Sequence, residues 1–288
     1  MFKNYFLTAL RNILKHKGYS FINIAGLAIG MACCILIIIF IMTELGYDKF
    51  HTKADRIYRM AVDATLGERI INMPVSNNPA GPTLARDYPE VENAVRLNTW
   101  PERTSFTYRD LQFYEDSIFW ADQSFFSVFS FPLVKGDPAT ALLTANSIVL
   151  TESAAEKYFG SDDPMGKVLK ANNQTDYTVT GVCREAPPNS HFHFDMLASF
   201  ETLLKQNPRM ADIWLNFNNY TYLLLAEEAD PAALEAKFPA LVDQYMGKDL
   251  KAIGGTIGFY LQPLRDIHLH SHLEGELEGN GNICLLYT

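Results

Sequence analysis

Between Gly18 and Thr43 the chain runs 26 residues without a charged side chain or a histidine, and from Phe21 to Met42 it is apolar apart from Asn23. At about 1.5 Å of helical rise per residue those 22 positions span roughly 33 Å, enough to cross a hydrocarbon core about 30 Å thick. A transmembrane helix over 18–43 is therefore expected, and everything after it must sit on one side of a membrane. A cleaved signal peptide would have a much shorter apolar core ending in small residues. Here the run continues through Cys33, Cys34 and Ile35 to Met42. A lipoprotein cleavage before Cys33 is opposed by Gly30 three residues upstream and by the apolar residues that follow.

Lys3, Arg11, Lys15 and Lys17 precede the span with no acid among them. Such a cluster favours a cytoplasmic N-terminus, while a large following domain translocates regardless of its own charges. The expected location is the cell inner membrane, single-pass in this chain, with the N-terminus cytoplasmic and the main domain periplasmic. Residues 1–17 are themselves patterned. On a helical wheel Phe2, Phe6, Ala9, Leu10 and Ile13 share one face, and Asn4, Thr8, Arg11 and Lys15 lie opposite. This is the pattern of an amphipathic helix resting on membrane lipid at the cytoplasmic interface and turning into the span near Lys17 and Gly18. Within the span, Gly26 and Gly30 form a small-xxx-small pair flanked by Ala28 and Ala32, a surface suited to close helix–helix packing.

The net charge of −9 divides unevenly, because the first 18 residues carry only positive charges. The remainder is strongly acidic, which leaves no basic face for nucleic acid. The exterior portion, 44–280, is long enough and aromatic enough, within a chain of 14 Tyr and 19 Phe, to bury one large core or two smaller ones. Four scattered cysteines build no disulfide framework. β-rich or alternating runs at 57–62, 94–97, 147–150, 177–182, 220–225 and 256–262 read as strands. Helices are expected at 83–88, at 154–159 behind a Ser153–Glu156 capping box, and at 232–246 between Asp230-Pro231 and Gly247.

The sequence lacks G-x-S-x-G, GxxxxGK[ST], HExxH and a glycine-rich strand-to-helix turn. Two histidine groups stand out: His191 with His193, and His268 with His270 and His272. In extended chain alternate residues share a face, so either set could offer imidazoles to a metal. Alternation on a half-buried sheet gives the same spacing, and no fourth ligand is identifiable. An ordinary strand-face role is the reading adopted, with no metal, no cofactor and no catalytic residues.

Further strings then carry a resemblance. The basic leader and span, followed by Tyr47-Asp48-Lys49-Phe50-His51 and Ala54-Asp55-Arg56-Ile57-Tyr58-Arg59, resemble the start of MacB/FtsX-type ABC transporter permeases of the Bacteroidetes kind. FFSVFSFPLVKGDPATAL, NSIVLTESAAEKYFG with DDPMGK, YTVTGVCREAPPNSHFHFD and LQPLRDIHLHSHLEGE are similar to that family's periplasmic core in the same order. The resemblance implies an α+β fold: one N-terminal transmembrane helix followed by a two-lobed mixed α/β periplasmic domain, with a second lobe inserted at roughly 100–220. It implies no enzymatic activity in the chain itself. ATP hydrolysis would belong to a cytoplasmic ABC ATPase subunit, and the periplasmic domain would transmit the resulting motion in efflux or in lipoprotein or peptide export. A second permease copy and a periplasmic adaptor are the further partners implied.

In such permeases a second apolar helix follows the domain, whereas 281–288 here read as an aberrant or truncated tail, and a fragment produced by a frameshift near Ile283 is the expectation. A single-span sensor or scaffold shares this topology, and a membrane-anchored enzyme would have to use the histidine groups.

Overall fold

The computed structural model describes residues 2–100 and 103–286. The chain divides into two units, Met1–Gly46 and Tyr47–Thr288.

The first unit is helical. Helix α1 (Phe2–Lys15) and helix α2 (Lys17–Glu44) are separated at His16. None of the α2 residues is buried, and Ile22, Leu27, Ile29 and Leu36 are each at least 65% exposed. A helix apolar on every side and covered on none is stable only where the solvent is itself apolar. It is long and apolar enough to cross a membrane.

The second unit is a mixed α/β domain. Its strands are β1 (Ile57–Leu66), β2 (Arg69–Met73), β3 (Ser76–Asn77), β4 (Val91–Thr99), β5 (Thr104–Tyr108), β6 (Leu111–Glu115), β7 (Ile118–Ala121), β8 (Leu133–Lys135), β9 (Ser147–Thr151), β10 (Val168–Ala171), β11 (Thr175–Cys183), β12 (Met196–Ser199), β13 (Phe217–Leu225) and β14 (Gly255–Pro263). They form one sheet in the order β14-β1-β13-β4-β7-β12-β9-β11-β10-β5-β6, with β2, β3 and β8 attached to β1, β13 and β11. Most pairs are antiparallel, and β11–β9 and β12–β7 are parallel. The helices are α3 (Ala80–Asp87), α4 (Phe125–Val128), α5 (Glu152–Phe159), α6 (Glu201–Gln206), α7 (Pro231–Glu235), α8 (Phe238–Ile253) and α9 (Ile267–His270).

Strand pleating explains how one sheet carries two cores. Along β7, Ile118 and Trp120 join one apolar cluster, and Phe119 and Ala121 join the other. The same alternation divides Ile148 and Leu150 from Val149 in β9, and Met196 and Ala198 from Leu197 in β12. Successive side chains point to opposite faces, so these central strands are buried on both. The smaller core is drawn from residues between Phe106 and Phe200, and the larger one includes Met60, Leu84, Phe125, Phe192, Tyr222 and Phe238.

The strands read from sequence are present, each somewhat longer than expected. Three helical expectations need correction. The helix expected at 232–246 is two helices, because Pro239 falls in the first turn of α8, where the proline ring prevents continuation from α7. Gly247 lies inside α8, and the helix stops instead at Gly254, which takes the left-handed conformation (φ 64°) that glycine adopts without steric cost. Helix α5 is capped by Thr151, whose Oγ1 accepts from Ala154 N at 3.3 Å, and not by Ser153, whose own N–H donates to Glu185.

Candidate functional site

The residues that follow α2 in the chain are fastened into the domain by a buried polar cluster. Asp48 is wholly buried and adopts φ 57°, a left-handed conformation that aspartate tolerates better than most residues. Its N–H donates to Asn189 O at 2.9 Å, and its Oδ1 accepts from His191 N at 3.2 Å. His191 Nδ1 lies 2.8 Å from the same Oδ1, within ion-pair reach although its N–H does not aim along that line. On the far side of the ring, Nε2 meets Tyr222 Oη at 2.8 Å. A chain Asp48–His191–Tyr222 therefore runs from the first residues of the domain to the centre of β13.

His51 anchors the next turn. Its Nδ1 accepts from Ser130 N at 3.0 Å, and its ring packs against Phe50, Phe129 and Phe131 at centroid distances of 4.0, 5.1 and 5.2 Å. Burial holds the imidazole neutral and lowers its pKa to about 3, the nearby Asp48 charge opposing the shift and His191 adding to it. Thr52 N donates to Ser130 Oγ at 2.9 Å, and Lys53 Nζ donates to Ser127 O at 2.9 Å. Arg56 Nη1 donates to Glu92 Oε2 at 2.7 Å and to Leu225 O at 2.9 Å. Beneath lie Phe125, Phe129, Phe131, Phe192, Phe194 and Tyr222 in mutual ring contact. Each fully buried phenylalanine of that group contributes about 1.5–3 kcal/mol.

The other end of the domain meets the same elements. Tyr47 stacks on His268 with centroids 3.3 Å apart, and Arg265 pairs with Asp55. The Arg59 side chain, fully buried in β1, donates through Nη1 to Glu276 Oε2 at 2.5 Å and through Nη2 to Glu276 Oε1 at 2.8 Å. Its Nη2 also reaches Gln262 Oε1 at 2.6 Å and Ser271 Oγ at 3.0 Å. His193 Nδ1 sits 2.9 Å from Glu278 Oε1.

The histidine groups thus have other surroundings than a strand face, which corrects the sequence reading. His191 and His193 lie in a loop, because the chain there is shaped by Asp48 from 143 positions away rather than by a ladder. His268 and His270 lie on α9 and His272 beyond it; His268 is buried, and His270 and His272 are exposed. Among the described residues no group of three or more His, Cys, Asp or Glu is arranged to hold a metal ion. Gly26 and Gly30 sit on α2 with open space where a Cβ would project.

In the sequence Asp48, His51, Arg59 and Glu276 stand out only as parts of family-like strings and Tyr222 only as a strand residue, with no role assigned to any of them or to Glu278. The usable signal was a buried-type motif, Tyr-Asp-Lys-Phe-His, directly after an apolar helix. Nothing local links it to partners more than 140 positions away.

Comparison with known proteins agrees with this architecture. The family described as the MacB-like periplasmic core domain matches residues 20–241. No curated protein matches the chain. A crystallised domain of a Porphyromonas gingivalis protein assigned as a permease superposes with a TM-score of 0.66 at 21% identity, covering 74% of this chain and 91% of that one. Two further structures align at 14% identity and a TM-score of 0.47. They are the periplasmic region of MacB from Actinobacillus actinomycetemcomitans, covering 73% of this chain and 90% of that one, and the extracellular domain of the noncanonic ABC-type transporter YknZ from Gram-positive bacteria, covering 72% and 99%. The match over residues 20–241 settles the family: the chain belongs to the MacB-like periplasmic core domain family, a periplasmic domain of ABC transporter permeases.

Proposed function

We propose that this domain transmits motion between membrane helices, driven by a cytoplasmic ABC ATPase subunit, and substrates or partners outside the inner membrane, in efflux or in lipoprotein or peptide export. The observation that carries this reading is the fastening of residues 47–59. A soft tether would let a helix move without the domain following. Here Asp48, His51 and Ala54 are buried, Asp48 and His51 are hydrogen-bonded to distant parts of the domain, and the His51 ring packs among phenylalanines. In the same reading the N-terminus is cytoplasmic, α1 rests on membrane lipid, and α2 packs through Gly26 and Gly30 against another helix, including that of a second permease copy. Residues of roughly 100–220, which supply the smaller core, form the outer lobe that meets a periplasmic adaptor.

The test is to loosen the fastening without unfolding the domain. Asp48→Ala in the intact permease, reconstituted with its ATPase, is expected to abolish most transport at temperatures where tryptophan fluorescence reports a folded domain. Wild-type transport in that variant would reject the reading. The orientation is checked by a cysteine at Thr8, which an impermeant maleimide should fail to reach in intact cells.

A further inference from the structure

The segment Ser271–Asn280 lies in no helix or strand, and of its residues only Ser271 is buried. It follows β14 and α9, so lifting it separates no pair of strands. Its hold is nearly all polar. Besides the Arg59–Glu276 pair, Tyr220 Oη donates to Gly275 O at 2.6 Å, Glu274 N donates to Asn72 O at 3.2 Å, and His193 N donates to Glu278 Oε1 at 2.6 Å. Leu277 adds one partly buried apolar contact. Segments with few buried apolar contacts open locally at much lower cost than the sheet they rest on. With the segment lifted, Arg59 keeps Gln262 as a partner within β14, 2.6 Å away, so the open state does not strand its guanidinium. The segment also lines a cleft of about 300 Å³, through Glu276, Leu277 and Glu278, together with Trp100, Phe119 and Tyr220.

The geometry points to a latch: residues 271–280 open and close as a unit on an intact sheet, with the Arg59–Glu276 pair as the catch, uncovering the cleft behind them and freeing the trailing end of the domain from β1. The role of this latch in coupling rests on the transmission reading; its mechanics do not.

Three glutamates in the segment make it testable on the whole chain in detergent micelles with a glutamate-specific protease. Glu276→Gln weakens the catch and removes one cleavage site. Cleavage after Glu274 and Glu278 is expected to accelerate at least tenfold, with the exposed sites Glu152 and Glu156 of α5 unchanged. His193→Ala, which removes only a half-exposed tie, should give a smaller acceleration at the same positions, and it serves if the first variant folds poorly. A disulfide between Asn72→Cys and Glu274→Cys, whose backbones are hydrogen-bonded, removes the site at 274; added to Glu276→Gln it should return cleavage after Glu278 to the wild-type rate until it is reduced. Unchanged cleavage in both variants, or parallel acceleration in α5, overturns the latch. If the latch passes while the disulfide leaves transport by the intact permease untouched, the latch stands and its role in coupling is rejected, whereas the transmission reading itself is decided by Asp48→Ala.

Discussion

Replacing His51 by asparagine should remove a specific part of the domain's acid sensitivity. In the folded protein burial lowers the His51 pKa to about 3, against 6.5 for an unstrained histidine. As pH falls through 6.5 the unfolded chain takes up this proton first, so the contribution of His51 to stability is fully present above 6.5 and is lost progressively down to about 3. Linkage across that window gives a loss of about 2 kcal/mol between pH 7 and pH 5 from this side chain alone. Asparagine does not titrate, and its Oδ1 can take the place of Nδ1 in accepting from Ser130 N, so His51→Asn leaves the Ser130 loop its partner while deleting the proton. The tryptophans, Trp100, Trp120 and Trp214, are all in the Tyr47–Thr288 unit, so fluorescence-detected urea unfolding of the whole chain in micelles reads that unit alone. The wild type should lose about 2 kcal/mol more than His51→Asn on going from pH 7 to pH 5. Parallel losses in the two proteins would show that His51 is not held neutral by burial, and the account of the cluster would be wrong.

Other perturbations have equally definite outcomes. Gly136 has φ 96°, and a Cβ there would stand 2.5 Å from Thr180 O, so Gly136→Ala should cost at least about 1–3 kcal/mol in the same unfolding assay. Phe192→Ala, at the centre of the aromatic group, should cost about 3–5 kcal/mol, with calorimetry as the check. Zinc at millimolar concentration should leave the melting temperature unchanged, since a metal bound only by the folded state would raise it; a shift abolished by His268→Ala with His270→Ala would contradict this. Leucine at Gly26 and Gly30 should reduce helix-mediated association in membranes, followed by cross-linking, while leaving the urea midpoint of the domain unchanged.

The apolar helix was legible because a 26-residue uncharged run has few alternatives. Strands such as β11 and β13 were legible through their β-branched and aromatic runs. The short strands β7 and β12 were not, since four residues buried on both faces carry no period of two. The histidines show the opposite failure. His191-Phe192-His193-Phe194 has the alternation of a strand, yet Phe192 and Phe194 are drawn into the aromatic core while Asp48 and Glu278 take the imidazoles. Both pairings are set by tertiary contacts that no local pattern records.

The central claim of the proposed function is that the fastening of residues 47–59 into the sheet lets the domain follow the helix that precedes it in the chain. Its most direct test is the transport rate of the intact permease, reconstituted with its ATPase, with and without a flexible Gly-Ser insert between Gly46 and Tyr47. The insert leaves every contact from Asp48 onward in place, so the domain should unfold at the wild-type urea concentration while ATP-driven transport falls to background. Transport at the wild-type rate with the insert in place would contradict the claim.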